Sequence, residues 1–129
     1  MNRLQPPGWP EPRGYANGIE AGGIVFTGGM IGWDETGAFP HEDLAGQAGQ
    51  ALRNVVAVLA EADAGPEHVV RLTWYVTDRD AYLADPAGIG QAYRDVMGRH
   101  FPAMAVVVVS ALLEPGATVE IEATAVVSR

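Results

Sequence analysis

Two carboxylates, Glu120 and Glu122, lie two residues apart in Val119-Glu120-Ile121-Glu122-Ala123. On a strand, that spacing sets both on one face. A carboxylate shielded in a cleft can orient a water or accept a proton. The same pair on an exposed sheet edge is ordinary surface charge, and spacing alone leaves both readings open. Other reactive groups are sparse. The histidines are 41, 68 and 100, with no i, i+4 pair and no cysteine beside them, which argues against a zinc site. His41-Glu42-Asp43 reads as a helix entrance. The serines are Ser110 and Ser128, and neither sits in G-x-S-x-G. The stretch GGIVFTGG at 22–29 lacks the Lys-Ser/Thr of a phosphate loop. It reads as a strand between glycine pairs whose backbone must turn or approach something closely.

Bulk properties narrow the partners. The 129 residues predict a single domain, 1–129, with hydrophobic content of 48%. Eight basic residues against 16 acidic ones give a net charge of −8. A phosphate backbone would first meet repulsion, so no nucleic-acid partner is expected. No apolar run approaches the ~18 residues of a membrane span, and no apolar h-region follows Met1. No membrane association is expected. Without cysteine there is no disulfide, and a cytoplasmic location is expected. A small molecule or another protein remains as partner.

Elements that would position the carboxylates follow from hydrophobic periodicity. Residues 1–14 are a proline-rich, extended N-terminal arm, read either as a loose terminus or as an arm packed by Trp9 over a neighbouring strand. Tyr15–Glu20 and Gly23–Thr27 predict two strands around Ala21-Gly22-Gly23. His41–Ala62 predicts a helix, with Leu44, Ala48, Ala51, Leu52, Val55, Val56 and Leu59 along one face. His68–Thr77 is the strongest strand, with Val70, Leu72, Trp74 and Val76 on one side and Arg71, Thr73 and Tyr75 on the other. Arg71 reads as a solvated charge or as an ion-pair partner at an interface. A second helix is expected within Asp80–Arg99, its regular part starting near Asp85-Pro86 and ending at Gly98. The order β-β-α-β-α-β-β predicts a mixed α/β sheet with two helices on one face.

Phe101–Val127 completes the sheet. Ala105–Val109 is wholly apolar and β-branched, the pattern of a strand buried on both faces. Val119–Val127 alternates, with Val119, Ile121, Ala123 and Ala125 opposite Glu120, Glu122 and Thr124. If the two strands pair as a hairpin through Pro115-Gly116, Glu120 faces a cleft lined by Met104 and Val106. Two helices cover only one sheet face, so the other is expected to pack against further copies, with Met104, Val106, Val108, Glu120 and Glu122 near the interface.

The segments GYANG at 14–18, GIVFTGGMIG at 23–32, VVRLTWYVTD at 69–78, YRDVMGRHFPAM at 93–104 and EPGATVEIEATAVV at 114–127 resemble the RidA (YjgF) family. The resemblance runs over nearly the whole chain in the family's order. It implies a chorismate-mutase-like fold and a homotrimer with clefts between subunits. It further implies hydrolysis of reactive enamines and imines to 2-oxo acids plus ammonia, with no metal and no organic cofactor. It assigns Glu120 to the attacking water, Tyr15 to covering the pocket, and the backbone at Gly28-Gly29 to the site. Three positions depart from the family pattern. Met104 replaces the arginine that grips the substrate carboxylate, Gly28 replaces a serine, and Gly90 replaces an asparagine. The turn before Glu120 is also one residue longer.

Loss of the arginine fork removes a charge-assisted bidentate pair, so short 2-imino acids are expected to turn over poorly. The sequence-based expectation is a divergent hydrolase with a small-molecule substrate in the inter-subunit cleft. There Glu120 directs water, Tyr15 covers the pocket, and Trp74, Met104 and Val106 shape it beside Gly28, Gly29 and Gly90. A trimer that binds an apolar metabolite without turnover, and a regulatory trimer that binds another protein, stand as the alternatives. Without a counter-charge, desolvation should raise the pKa of Glu120.

Overall fold

A computed structural model describes residues 1–127, so Ser128 lies outside the described residues. The elements are β1 (Asn2–Leu4), β2 (Gly18–Ala21), β3 (Ile24–Thr27), α1 (Leu44–Ala60), β4 (Val69–Val76), α2 (Arg79–Ala84), α3 (Pro86–Met97), β5 (Ala103–Val108) and β6 (Val119–Val126). The strands form one mixed sheet in the order β1-β2-β3-β6-β4-β5. Only β4 and β5 run parallel.

Local chemistry sets the boundaries. The carboxylate of Asp43 accepts the Gly46 N–H, so α1 begins at Leu44 rather than His41. The predicted second helix is two. Pro86 has no N–H to extend α2 and starts α3, whose first turn is capped by the Asp85 carboxylate on the Gly88 N–H. Gly98, at φ 66°, ends α3. Gly22 and Gly23 both adopt positive φ and make the β2–β3 hairpin turn. The N-terminal arm is packed: β1 pairs with β2, Leu4 is buried, and Trp9 lies against the core.

Both long helices cover the same sheet face. Leu52, Val55 and Leu59 of α1 meet Leu72 and Trp74 of β4 and Ile121 of β6, all fully buried. Val58 joins them, whereas Val56 is only half-buried. A bulge between Val69 and Arg71 puts Val69 inside and leaves Val70 exposed, contrary to strict alternation from Val70.

Two expectations are corrected. β5 and β6 do not form a hairpin, because β4 lies between them. α2 and α3 return the chain alongside β4 in parallel, and β6 then fills the slot between β4 and β3, antiparallel to both. Nor is β5 buried on both faces. It is the sheet edge, with Met104, Val107 and Val108 exposed. Its apolar run matches a central strand in composition, but among the described residues no strand lies beyond it.

Candidate functional site

Strand register divides the candidate residues between two faces. Tyr75 of β4 stands opposite Glu120 of β6 and Val107 of β5. Trp74 stands opposite Ile121 and Val106, and Leu72 opposite Met104. Residues directly across share a face. Glu120 and Tyr75 therefore occupy the open face, while Met104, Val106 and Trp74 occupy the helix-covered one. The expected cleft of Glu120 with Met104 and Val106 does not exist within one chain. With β4 interposed, register sets their faces, and it sets them apart.

On the open face, Met30 and Ile121 exchange backbone hydrogen bonds of 2.8 and 2.9 Å, which lays Gly29 alongside Glu120. A Cβ added at Gly29 would lie 2.3 Å from Glu120 Oε2. The carboxylate thus rests directly on the Gly29 backbone, and any other residue there would displace it. The Gly28 N–H donates to the Asn17 carbonyl at 2.8 Å, tying this segment to the loop that carries Tyr15. Tyr15 itself is 60% exposed.

Two amides lock the frame around this carboxylate. Gln47, fully buried on α1, donates to the carbonyls of His41 and Gly116 and accepts from the N–H and hydroxyl of Thr118. Asn54, two turns on, donates to the carbonyls of Ile31 and Trp33. α1 therefore fixes both the entry to β6 and the segment after Gly29.

Electrostatics distinguishes the paired carboxylates. The Tyr75 hydroxyl donates to Glu122 Oε1 at 2.8 Å. That bond, with burial and the charges of Glu122 and Glu120, holds the phenol's pKa above its ordinary value. Among the described residues no group donates to Glu120. Burial first, and then the charge of Glu122, raise its pKa above the ordinary carboxylate value, as expected. Arg71 lies on the same face, exposed beside Thr73, Glu122 and Phe26, and makes no ion pair among the described residues.

The helix-covered side holds a different site. A cavity of about 370 Å³ opens between α2, α3 and the start of β5. Trp74, Ile89, Tyr93, Phe101 and Met104 make its apolar wall, and Gly90 and Arg94 its polar side. Tyr93 stacks on Phe101 at 5.6 Å between ring centroids and donates to the His100 carbonyl. Tyr82 meets Trp74 edge-on. Trp74 is 1% exposed, and its Nε1 has no hydrogen-bond acceptor among the described residues. Met104, Trp74 and Gly90 therefore do share a pocket; Glu120, with Gly28 and Gly29 beside it, lies apart from them, and Tyr15 is on an exposed loop. Among the described residues no cluster of three His, Asp or Glu side chains is placed to hold a metal ion.

Gln47, Asn54, Tyr75 and Arg94 were not singled out from the sequence as site residues. Tyr75 had a usable signal, since it alternates with Trp74 on the strongest strand. Gln47 and Arg94 had none, because an amide or arginine on a helix is ordinary until its neighbours are known.

The family model described as Endoribonuclease L-PSP matches residues 10–127. The chain belongs to this family, that of the RidA and YjgF proteins. The 2-iminobutanoate/2-iminopropanoate deaminase of Salmonella typhimurium is 37% identical over 115 residues, covering 87% of this chain and 86% of that protein. The crystal structure of E. coli TdcF with bound serine superposes with a TM-score of 0.84 at 31% identity, over 99% of this chain and 100% of TdcF. The E. coli YjgF gene product gives a TM-score of 0.83 at 31% identity, over 98% of each chain. The mixed α/β sheet with its helices on one face is the fold of these structures.

Proposed function

We propose that the protein is a cytoplasmic RidA-like hydrolase that converts reactive imines to oxo compounds and ammonia. Its site forms between copies of the chain in a homotrimer, the assembly that the family resemblance implies. Glu120 and Met104 stand on opposite faces of one sheet, so a cleft containing both requires two subunits. The exposed apolar residues of the open face and of β5 supply surface for that contact.

The observation that carries this reading is the Glu120 carboxylate, seated on Gly29, half-buried, free of donors among the described residues and raised in pKa. Glu120 takes a proton from water as the water oxygen bonds to the imine carbon. That proton passes to nitrogen and gives a carbinolamine; Glu120 then takes the carbinolamine hydroxyl proton and delivers it to the amine as the C–N bond breaks, so ammonia leaves and the oxygen stays as the oxo group. A base with a raised pKa suits both transfers near neutral pH. The net charge of −8 opposes a nuclease role.

Glu120→Gln keeps the shape and removes the base. Assayed on 2-imino acids generated in situ by an amino-acid oxidase, its turnover should fall by roughly 10²-fold or more. Unchanged turnover would overturn the assignment. Met104 supports a second reading, a trimer that binds an apolar metabolite without turnover; there, neither form turns over any imine and both bind ligand equally.

A further inference from the structure

We propose that Arg94 is an anion-holding residue in this chain. The helix-side cavity then binds a small monocarboxylate, its apolar body against Trp74, Tyr93 and Phe101 and its carboxylate on the Arg94 guanidinium. The inference deepens the reading above, since this cavity forms one side of the proposed cleft. Binding is measured without turnover, so the two can fail separately.

Three observations converge. Arg94 is the sole charged side chain in a wall that is otherwise apolar or aromatic. Its position is made by Gly90, one helical turn earlier on the same face of α3. A Cβ at Gly90 would lie 3.1 Å from Arg94 Nη1, so the guanidinium lies across the space a side chain would fill. Second, Arg94 makes no ion pair among the described residues and donates only a long 3.4 Å contact to Gln91 Oε1 among them. Third, a volume of about 370 Å³ suits a ring or branched chain rather than a bare two- or three-carbon acid. Arg71 of β4 lies on the opposite face of the sheet and does not line this cavity.

Calorimetry with 3-phenylpropanoate and its uncharged amide, 3-phenylpropanamide, tests this on the intact protein. The wild type should prefer the acid by roughly ten- to a hundredfold, the range of a charge-assisted bond. Arg94→Ala should abolish that preference while still binding the amide. Arg94→Lys should keep part of it, because the charge remains and the planar fork is lost. Gly90→Ala, which crowds the guanidinium, should weaken the acid more than the amide. Equal affinity for both probes, a preference that survives Arg94→Ala, or no saturable binding of either probe overturns the proposal. If the preference and its loss in Arg94→Ala are found while imine hydrolysis proves independent of Glu120, this proposal stands and the hydrolase assignment falls. If hydrolysis depends on Glu120 and no acid preference is found, the reverse holds.

Discussion

Along β4 and β6, alternate residues meet opposite surroundings. Leu72, Trp74 and Ile121 are sealed under Leu52, Val55 and Leu59 of α1. One residue along the same strands, Tyr75 and Glu120 are half-buried, and across the sheet Phe26 and Val107 are 46% and 42% exposed. Both faces are therefore written in the same short segments, one residue out of phase. The sealed face supplies the burial that holds the fold; the open face carries the carboxylates and an apolar surface left uncovered among the described residues. Such a patch on a small protein marks a contact surface. Core burial and exposed apolar surface are thus separated here by the parity of the strand position.

The largest expected effect breaks the sealed face. Leu52→Ala should lower unfolding stability by about 2–5 kcal/mol through lost contacts and a residual cavity. Val107→Asp, on the open face, should leave secondary structure intact and instead raise the concentration at which the assembly dissociates by tenfold or more. Urea unfolding and sedimentation velocity on both variants would check this. If Val107→Asp unfolds the chain, or leaves assembly untouched, the division between faces is wrong.

How far this was legible follows from the kind of signal each element carries. α1, β4 and β6 show their periodicity openly, and Asp43, Asp85-Pro86 and Gly98 mark helix ends by local chemistry that needs no tertiary context. Glu120 and Glu122 fell on one face, as alternation demands. The strand order was not legible. β5 and β6 are consecutive and joined by a Pro-Gly turn, yet β4 comes between them, and only long-range packing decides that. The error passed to the site: Met104 and Val106 were set beside Glu120 when the register places them behind it. The close approach at Gly28-Gly29 was legible as a need for glycine, but its cause, the Glu120 carboxylate, required the fold. Arg94 became visible only once Gly90 was seen beneath it.

Gln47 links the two faces, and its loss should be the next largest effect. It reaches from the sealed side to the start of β6, and its carboxamide satisfies four backbone or hydroxyl partners. Gln47→Leu keeps the volume and strands those partners, at a cost of about 1–3 kcal/mol. Because Gln47 touches no substrate, any fall in turnover should appear in kcat through a displaced Glu120 and leave KM nearly unchanged. A variant as stable as wild type would show that water replaces the amide, and that β6 is held by its strand partners alone.

The smallest effect concerns the pH dependence of Glu120 itself. Its folded pKa lies above the ordinary carboxylate value of 4.5, chiefly through burial. The folded chain therefore holds this proton more tightly than the unfolded chain does. Below the ordinary carboxylate range both states are protonated and Glu120 costs nothing. As pH rises through the window between that range and the raised folded value, the unfolded state loses its proton first, and folding stability declines. Above the window the penalty is constant. Glu120→Gln cannot titrate, so its stability relative to wild type should be flat at low pH, grow across that window and then level off. Asp34 runs the other way, its pKa lowered by the Thr36 and Ala38 groups that bond to it, but it is present in both proteins and cancels in the difference. Glu120 is partly solvated, so the difference should be small, and urea midpoints at closely spaced pH and one fixed protein concentration are needed to resolve it. A difference that shrinks with rising pH would mean that Glu120 is stabilised as the anion, by a donor from a neighbouring subunit. The open face would then hold a paired carboxylate rather than a base waiting for a proton.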